Sequence, residues 1–185
     1  VEKEQLLEEV RRALKTSGFA DTAEEWRTEF ATRSPVVEDR LAKAHLVAGT
    51  DSSVLITGES GTGKELLARA IHWASGRREG AFVSVDCSSL DGVAEHLAAC
   101  EQELARAAQE ATGGTIFLRS VDDLALSLQT RLACLLRGPR DVRVLATSDR
   151  RPDELAADGR YSTELLERVS AVHIDLPPLS RRRED

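Results

Sequence analysis

The residues with the most legible chemistry are Gly58, Glu59, Ser60, Gly61, Thr62, Gly63 and Lys64, followed by Glu65. A glycine, four intervening residues, a second glycine and a lysine have the spacing of a phosphate-binding loop. Each residue type has a reason to be there. Glycines let the backbone curl around an anion without Cβ clashes, so that amide N–H groups converge on it. A helix that starts at the lysine adds the partial positive charge of its N-terminus. Lys64 adds a full charge for the outer phosphates. The bland alternative is a glycine-rich turn with no ligand, which needs neither the lysine nor the full spacing. The motif speaks for phosphate binding and says nothing of turnover.

Such a loop works only between a buried strand and a helix, and the flanking sequence supplies both. Val54–Ile56 is a short, continuously apolar run, as expected of a strand covered on both faces. Leu66, Leu67, Ala70 and Ile71 then follow helical spacing. Further strands are expected at Ala81–Val85, Thr115–Leu118, Val142–Ala146 and Ala171–Leu176. Helices are expected between them: one long amphipathic helix through Val93, Leu97, Cys100, Leu104 and Ala107, one over Leu124–Leu136, and one from about Ser162 to Val169. Ser34-Pro35 reads as the opening of a helix that runs to about Ala48. Strands separated by helices of this length predict a five-stranded parallel sheet covered on both faces, an αβα sandwich. Upstream, Leu7, Val10 and Leu14 predict a helix in residues 1–17, and a second short helix after Asp21 carries Trp26 and Phe30.

Composition narrows the function. With 41% hydrophobic and 31% charged residues among 185, the chain is ordinary for one globular domain, which argues against long disorder. A net charge of −7 argues against direct nucleic-acid binding. Cys87, Cys100 and Cys134 are odd in number and form no C-x-x-C pair, so neither a disulfide framework nor a metal site is expected, and reduced thiols in the cytoplasm are. No run of about 18 apolar residues predicts a membrane span. His72 and His173 have no second ligand at metal spacing, and Trp26 and Trp73 read as packing residues. Arg181-Arg182-Arg183, offset by Glu184-Asp185, reads as the solvated start of another helix. A chain beginning at Val1 rather than Met is expected to be a piece of something longer.

The segment from Val54 to His72 resembles the Walker A region of sigma-54-dependent transcription activators, a family of AAA+ ATPases that carries Glu after the lysine, as Glu65 does here. Ala81–Cys87 resembles the second strand of that family, Gly113–Leu118 its Walker B strand, and Leu124–Leu132 the helix after it. Leu176–Leu179 with Arg181, Glu184 and Asp185 resembles the junction to the helical lid, and the lid itself is not in the chain. The resemblance divides the chain into residues 1–29, a helical extension or linker, and residues 30–185, a nucleotide-binding P-loop core of AAA+ type. It implies ATP or ADP as ligand, a place beside other domains of one regulator, and self-association as a possibility.

The sequence departs from that family where hydrolysis is done. The Walker B acids, which hold Mg²⁺ and position the attacking water, are replaced by Arg119 and Ser120. Asp122 and Asp123 follow closely but lie beyond the apolar run that ends the strand. The sensor segment ends in Ser148-Asp149 where the family has Thr-Asn. Of two arginines that act across subunits in the family, one position holds Ser162 and the other Arg168, which could equally be a helix arginine paired with Glu164. The loop that contacts sigma-54 has no counterpart between Cys87 and Gly113, so sigma-54 is not an expected partner. Arg119 either turns toward the terminal phosphates from a strand adjoining the loop, which puts the Mg²⁺ requirement in question, or pairs with Asp122, Asp123 or Asp149. Three readings follow: a regulatory nucleotide-binding domain with little turnover, an oligomeric ATPase with non-standard groups, and an interaction module that binds no nucleotide.

Overall fold

A computed structural model describes residues 34–90 and 92–178. The helices expected upstream of Ser34, with Trp26 and Phe30, and the basic run at Arg181 lie outside the described residues. Helix α1 (Pro35–Ala48) starts where proline's fixed φ suits a first turn, and it buries Val37, Leu41, Ala44 and Val47 along one stripe. Strand β1 (Val54–Thr57) leads into α2 (Lys64–Trp73), and β2 (Phe82–Asp86) into α3 (Leu97–Glu110). Strand β3 (Thr115–Arg119) is followed by α4 (Leu126–Arg137), and β4 (Arg143–Ser148) by α5 (Pro152–Ala157) and α6 (Thr163–Val169). Strand β5 (Val172–Asp175) completes the sheet.

The five strands are all parallel, in the order β2-β3-β4-β1-β5. Side-chain alternation splits the apolar residues into two layers. Val54, Ile56, Phe117, Leu145 and Ile174 face α1 and α2, where Leu67 and Ile71 cover them. Leu55, Ile116, Leu118, Val144 and Ala146 face the other way, onto Leu104, Leu128, Leu132 and Leu165 of α3, α4 and α6. The interior strands β1 and β4 are buried along their whole length, whereas edge strands β2 and β5 are only partly covered. The register sets Thr57 beside Ser148 and Asp175, and Asp86 beside Arg119. The loops after these strands therefore gather along one edge of the sheet, where open parallel sheets bind ligands.

At the opposite edge, Arg77 bridges Asp51 (2.8 Å) and Asp141 (2.5 Å). Arg143, at the start of β4, is 1% exposed, and its guanidinium donates to the carbonyls of Val47 (2.8 Å) and Ala48 (3.1 Å) at the C-terminus of α1. The last carbonyls of a helix have no partner within it, and the buried guanidinium caps these two, of which Val47 also accepts from the Thr50 N–H (3.0 Å) and hydroxyl (2.9 Å).

The structure corrects several expectations. The neighbours of β1 are β4 and β5, so β3, with Arg119 at its tip, does not adjoin the strand that carries the loop. Val93 is not in α3. Gly92 turns left-handed (φ 63°), and a Cβ there would stand 2.3 Å from the Ala125 Cβ; the chain turns before the helix begins and leaves Val93 48% exposed. Trp73 is 62% exposed and meets His72 edge-on rather than filling the interior. Helix α5 is too short for hydrophobic periodicity to announce it; Pro152 in the first turn and an acidic first turn are its signals.

Candidate nucleotide site

The loop between β1 and α2 is shaped by its glycines. Gly61 and Gly63 have φ of 79° and 93°, a region that suits residues without a Cβ. A Cβ on Gly58 would lie 2.8 Å from the Leu176 carbonyl oxygen and 2.9 Å from Thr62 Oγ1, so the loop passes against the chain leaving β5. Around Gly61 the space is open to 4 Å. Thr62 ties the loop internally, its Oγ1 donating to the Glu59 carbonyl at 2.8 Å. The amides of Ser60, Gly61, Gly63 and Lys64 give no hydrogen bond among the described residues. Ser60 and Gly61 are exposed, so this run of donors opens to the surface at the start of α2.

Lys64 lies folded against the loop. Its side chain is 13% exposed, and Nζ donates to the carbonyls of Gly58 (2.6 Å) and Glu59 (3.0 Å) and to Asp149 Oδ1 (2.7 Å). An ammonium has three donors, and here each has an acceptor. Asp149, just past the end of β4, thus pairs with the lysine itself. Beneath the loop, the Thr57 hydroxyl donates to Asp175 (2.8 Å) and meets His173 Nε2 at 2.7 Å, which ties β1 to β5.

The tip of β3 carries the groups expected to replace the catalytic acids. Arg119 does not pair with Asp122, Asp123 or Asp149. Its Nε stands 3.7 Å from Glu65 on α2, and its Nη2 stands 3.9 Å from Asp86 at the end of β2. The reason is topological. Parallel register sets Asp86 directly beside Arg119, whereas the chain turns away after Ser120. Ser120 is in the left-handed region (φ 50°), its N–H donates to Thr147 Oγ1 at 3.2 Å, and Val121–Asp123 forms a tight helical turn. Asp86 is the residue that sequence reasoning missed; an acid at a strand's C-terminal end was the available signal. Hydrogen bonds from Ser88, with a smaller contribution from the Arg119 charge, hold its carboxyl below the usual range. Burial, with the charges of Asp123 and Asp149 adding to it, pushes the Asp122 carboxyl up.

The remaining candidates divide. Ser162 caps α6, accepting from the Leu165 N–H, while its own N–H donates to Gln129 Oε1 at 2.6 Å. Arg168 is exposed on α6, and Glu164 pairs with Arg137 of α4, not with Arg168. His72 is buried and joined to Thr115 Oγ1 at 2.9 Å. Cys87 is fully buried, and burial pushes its thiol up to about 12, which leaves it inert.

A phosphate chain fits this site: the glycine cradle is open at Gly61, uncommitted amides lie at a helix N-terminus, and Lys64 is at hand. Mg²⁺ fits less well: a guanidinium stands 3.7 Å from the side chain of residue 65, the position at which a phosphate loop usually holds the metal.

Residues 30–175 match the family described as the sigma-54 interaction domain. Curated relatives include the transcriptional regulatory protein GlrR of Escherichia coli K12, 35% identical over all of this chain and 46% of its own length, and the alginate biosynthesis regulator AlgB of Pseudomonas putida, 36% identical over 83% of this chain and 39% of its own. The chain spans about half the length, or less, of these relatives. The GlrR alignment runs over 212 positions although this chain has 185 residues, so GlrR carries residues with no counterpart here. Among solved structures, NtrX of Brucella abortus in complex with ATP superposes with a TM-score of 0.76 at 30% identity, covering 98% of this chain and 47% of NtrX. The P-loop NTPase domain of an E. coli sigma-54 activator superposes at 0.64 and 26% identity over 80% of this chain and 98% of its own. The chain belongs to the sigma-54 interaction domain family of AAA+ P-loop proteins.

Proposed function

We propose that residues 30–185 form the nucleotide-binding regulatory domain of a cytoplasmic sigma-54-activator-like regulator, which binds ATP or ADP on Gly58–Glu65 and hydrolyses little or none. One observation carries this reading. The backbone and lysine that hold phosphates are in place, while the strand tips that would activate water present Arg119 and Ser120. The NtrX structures with ATP and with ADP support the ligand class. Nucleotide would be held by the amides of Ser60, Gly61, Gly63 and Lys64 and by the Lys64 charge, and the tip of β3 would offer it Arg119 and Ser120 in place of carboxylates. Loss of a positioned base alone typically costs about 10²- to 10⁴-fold in rate. The short connection from β2 to α3 supports a further part of the reading: the domain does not engage sigma-54 by the loop its relatives use, and it acts on neighbouring domains of its own regulator or on a second copy.

The test is steady-state phosphate release at high protein concentration with Mg²⁺, beside titration calorimetry with ATP. Binding with background release is the expected result. Release that rises cooperatively with protein concentration to several per second overturns it in favour of an oligomeric ATPase. An absence of binding overturns it in favour of an interaction module.

A further inference from the structure

We propose that Arg119 is the built-in counter-cation of the phosphate site, so that the domain takes nucleoside di- and triphosphates in their metal-free form. This rests on the nucleotide-binding reading above and names the ionic form of the ligand. The guanidinium stands 3.7 Å from Glu65, the first side chain after Lys64, and 3.9 Å from Asp86. At those lengths the acids attract the arginine without accepting hydrogen bonds from it. The Arg119 side chain makes no hydrogen bond among the described residues and is 46% exposed. A guanidinium meant only to brace α2 against the sheet would be expected to close tight, two-pronged bonds to one of these carboxylates. This one is positioned by charge and keeps its planar fork of donors uncommitted, a geometry that matches phosphate oxygens.

The ionic surroundings favour the same ligand. Lys64 is already engaged by Asp149 at 2.7 Å, so a second positive group is needed to balance a phosphate chain. In most phosphate loops a divalent metal supplies it. Here the Arg119 guanidinium occupies the place beside Glu65 and Asp86 to which these carboxylates would draw a metal, and it brings positive charge of its own.

Titration calorimetry of the whole chain with ATP and with ADP, in EDTA and in Mg²⁺, tests this. The expected result is affinities within about threefold of each other in the two conditions, since the side chain supplies the charge that the metal would. Arg119→Ala should weaken binding in EDTA by about tenfold or more, the scale of a charge-assisted bond. Arg119→Lys, which keeps the charge but not the planar fork, should fall between the unaltered protein and Arg119→Ala, and Arg119→Asp should bind only when Mg²⁺ is added. A strict Mg²⁺ requirement in the unaltered protein overturns the inference and leaves nucleotide binding intact. Unchanged binding by Arg119→Ala in EDTA, with an unchanged urea midpoint, also overturns it. No binding in either condition overturns both.

Discussion

The phosphate loop and the strand tips facing it are built from opposite kinds of parts. The loop keeps every part that works through the backbone: left-handed glycines, uncommitted amides and a helix N-terminus. The tips of β3 and β4, a few ångströms away, present side chains instead, and ion pairs hold these: Arg119 with Glu65 and Asp86, and Asp149 with Lys64. Backbone chemistry is built into the fold and persists as long as the loop does. Side-chain chemistry can be replaced at strand ends without disturbing a buried residue, because Arg119 and Asp149 are both exposed. Substitutions in the loop and at the strand tips are therefore expected to have different effects.

Lys64→Ala should break the loop's side of that contrast most severely. Losing the only lysine on the loop is expected to weaken ATP binding by about 100-fold, the scale of a hydrogen-bonded charge pair with phosphate; calorimetry that finds the affinity unchanged would mean that nucleotide sits elsewhere. Asp149→Asn should act in the other direction and less strongly. It frees Lys64 from a carboxylate that competes with phosphate, and because Asp149 is 61% exposed the gain should be only about three- to tenfold. Weaker binding by that variant would show that Asp149 assists the ligand rather than competing with it.

Acid should test the framework rather than the site. His45, His72 and His173 are each held below the ordinary 6.5, with burial as the leading cause. Their folded pKa values lie below their unfolded ones, so the stability they contribute is present above pH 6.5 and is lost as pH falls toward the folded values. The raised Asp122 carboxyl opposes this in part, since its contribution is lost as pH rises. Urea unfolding between pH 8 and pH 5 should show a net decline below about 6.5; stability that is flat or rising over that interval would count against burial of the imidazoles. Smallest of all should be Asp122→Asn, expected to leave phosphate release at background. A measurable rate that this change removes would identify Asp122 as a base and restore catalysis to the strand tips.

Much of this was legible in the sequence because the deciding signals are local. Gly58–Lys64 sits between an apolar run and a helical stripe, and both elements form where expected. Ser34-Pro35 opens α1 at the expected residue. What was not legible depends on which strands lie side by side. The partners of Arg119 come from β2 and α2, and the partner of Lys64 comes from beyond β4, whereas sequence proximity favoured Asp122 and Asp123. The 3-10 turn after Ser120 carries those two acids away from the arginine, and a single left-handed serine does not announce such a turn. Arg143 was hidden for a similar reason: an arginine opening an apolar strand reads as an exposed end until its acceptors on α1 are known.

Arg143 also sets the boundary of the unit that folds cooperatively. A guanidinium taken out of water without acceptors costs about 3–5 kcal/mol, a large share of the roughly 5–15 kcal/mol by which a domain is stable. Its acceptors are the last carbonyls of α1, so the interior strand β4 and this helix depend on each other for stability. A chain trimmed to begin at Thr50 would keep all five strands and the whole phosphate loop, and would lose both acceptors of the Arg143 guanidinium. The smallest autonomous piece therefore begins at or before Ser34. The helix ahead of the first strand is as much a condition for the sheet as the strands are.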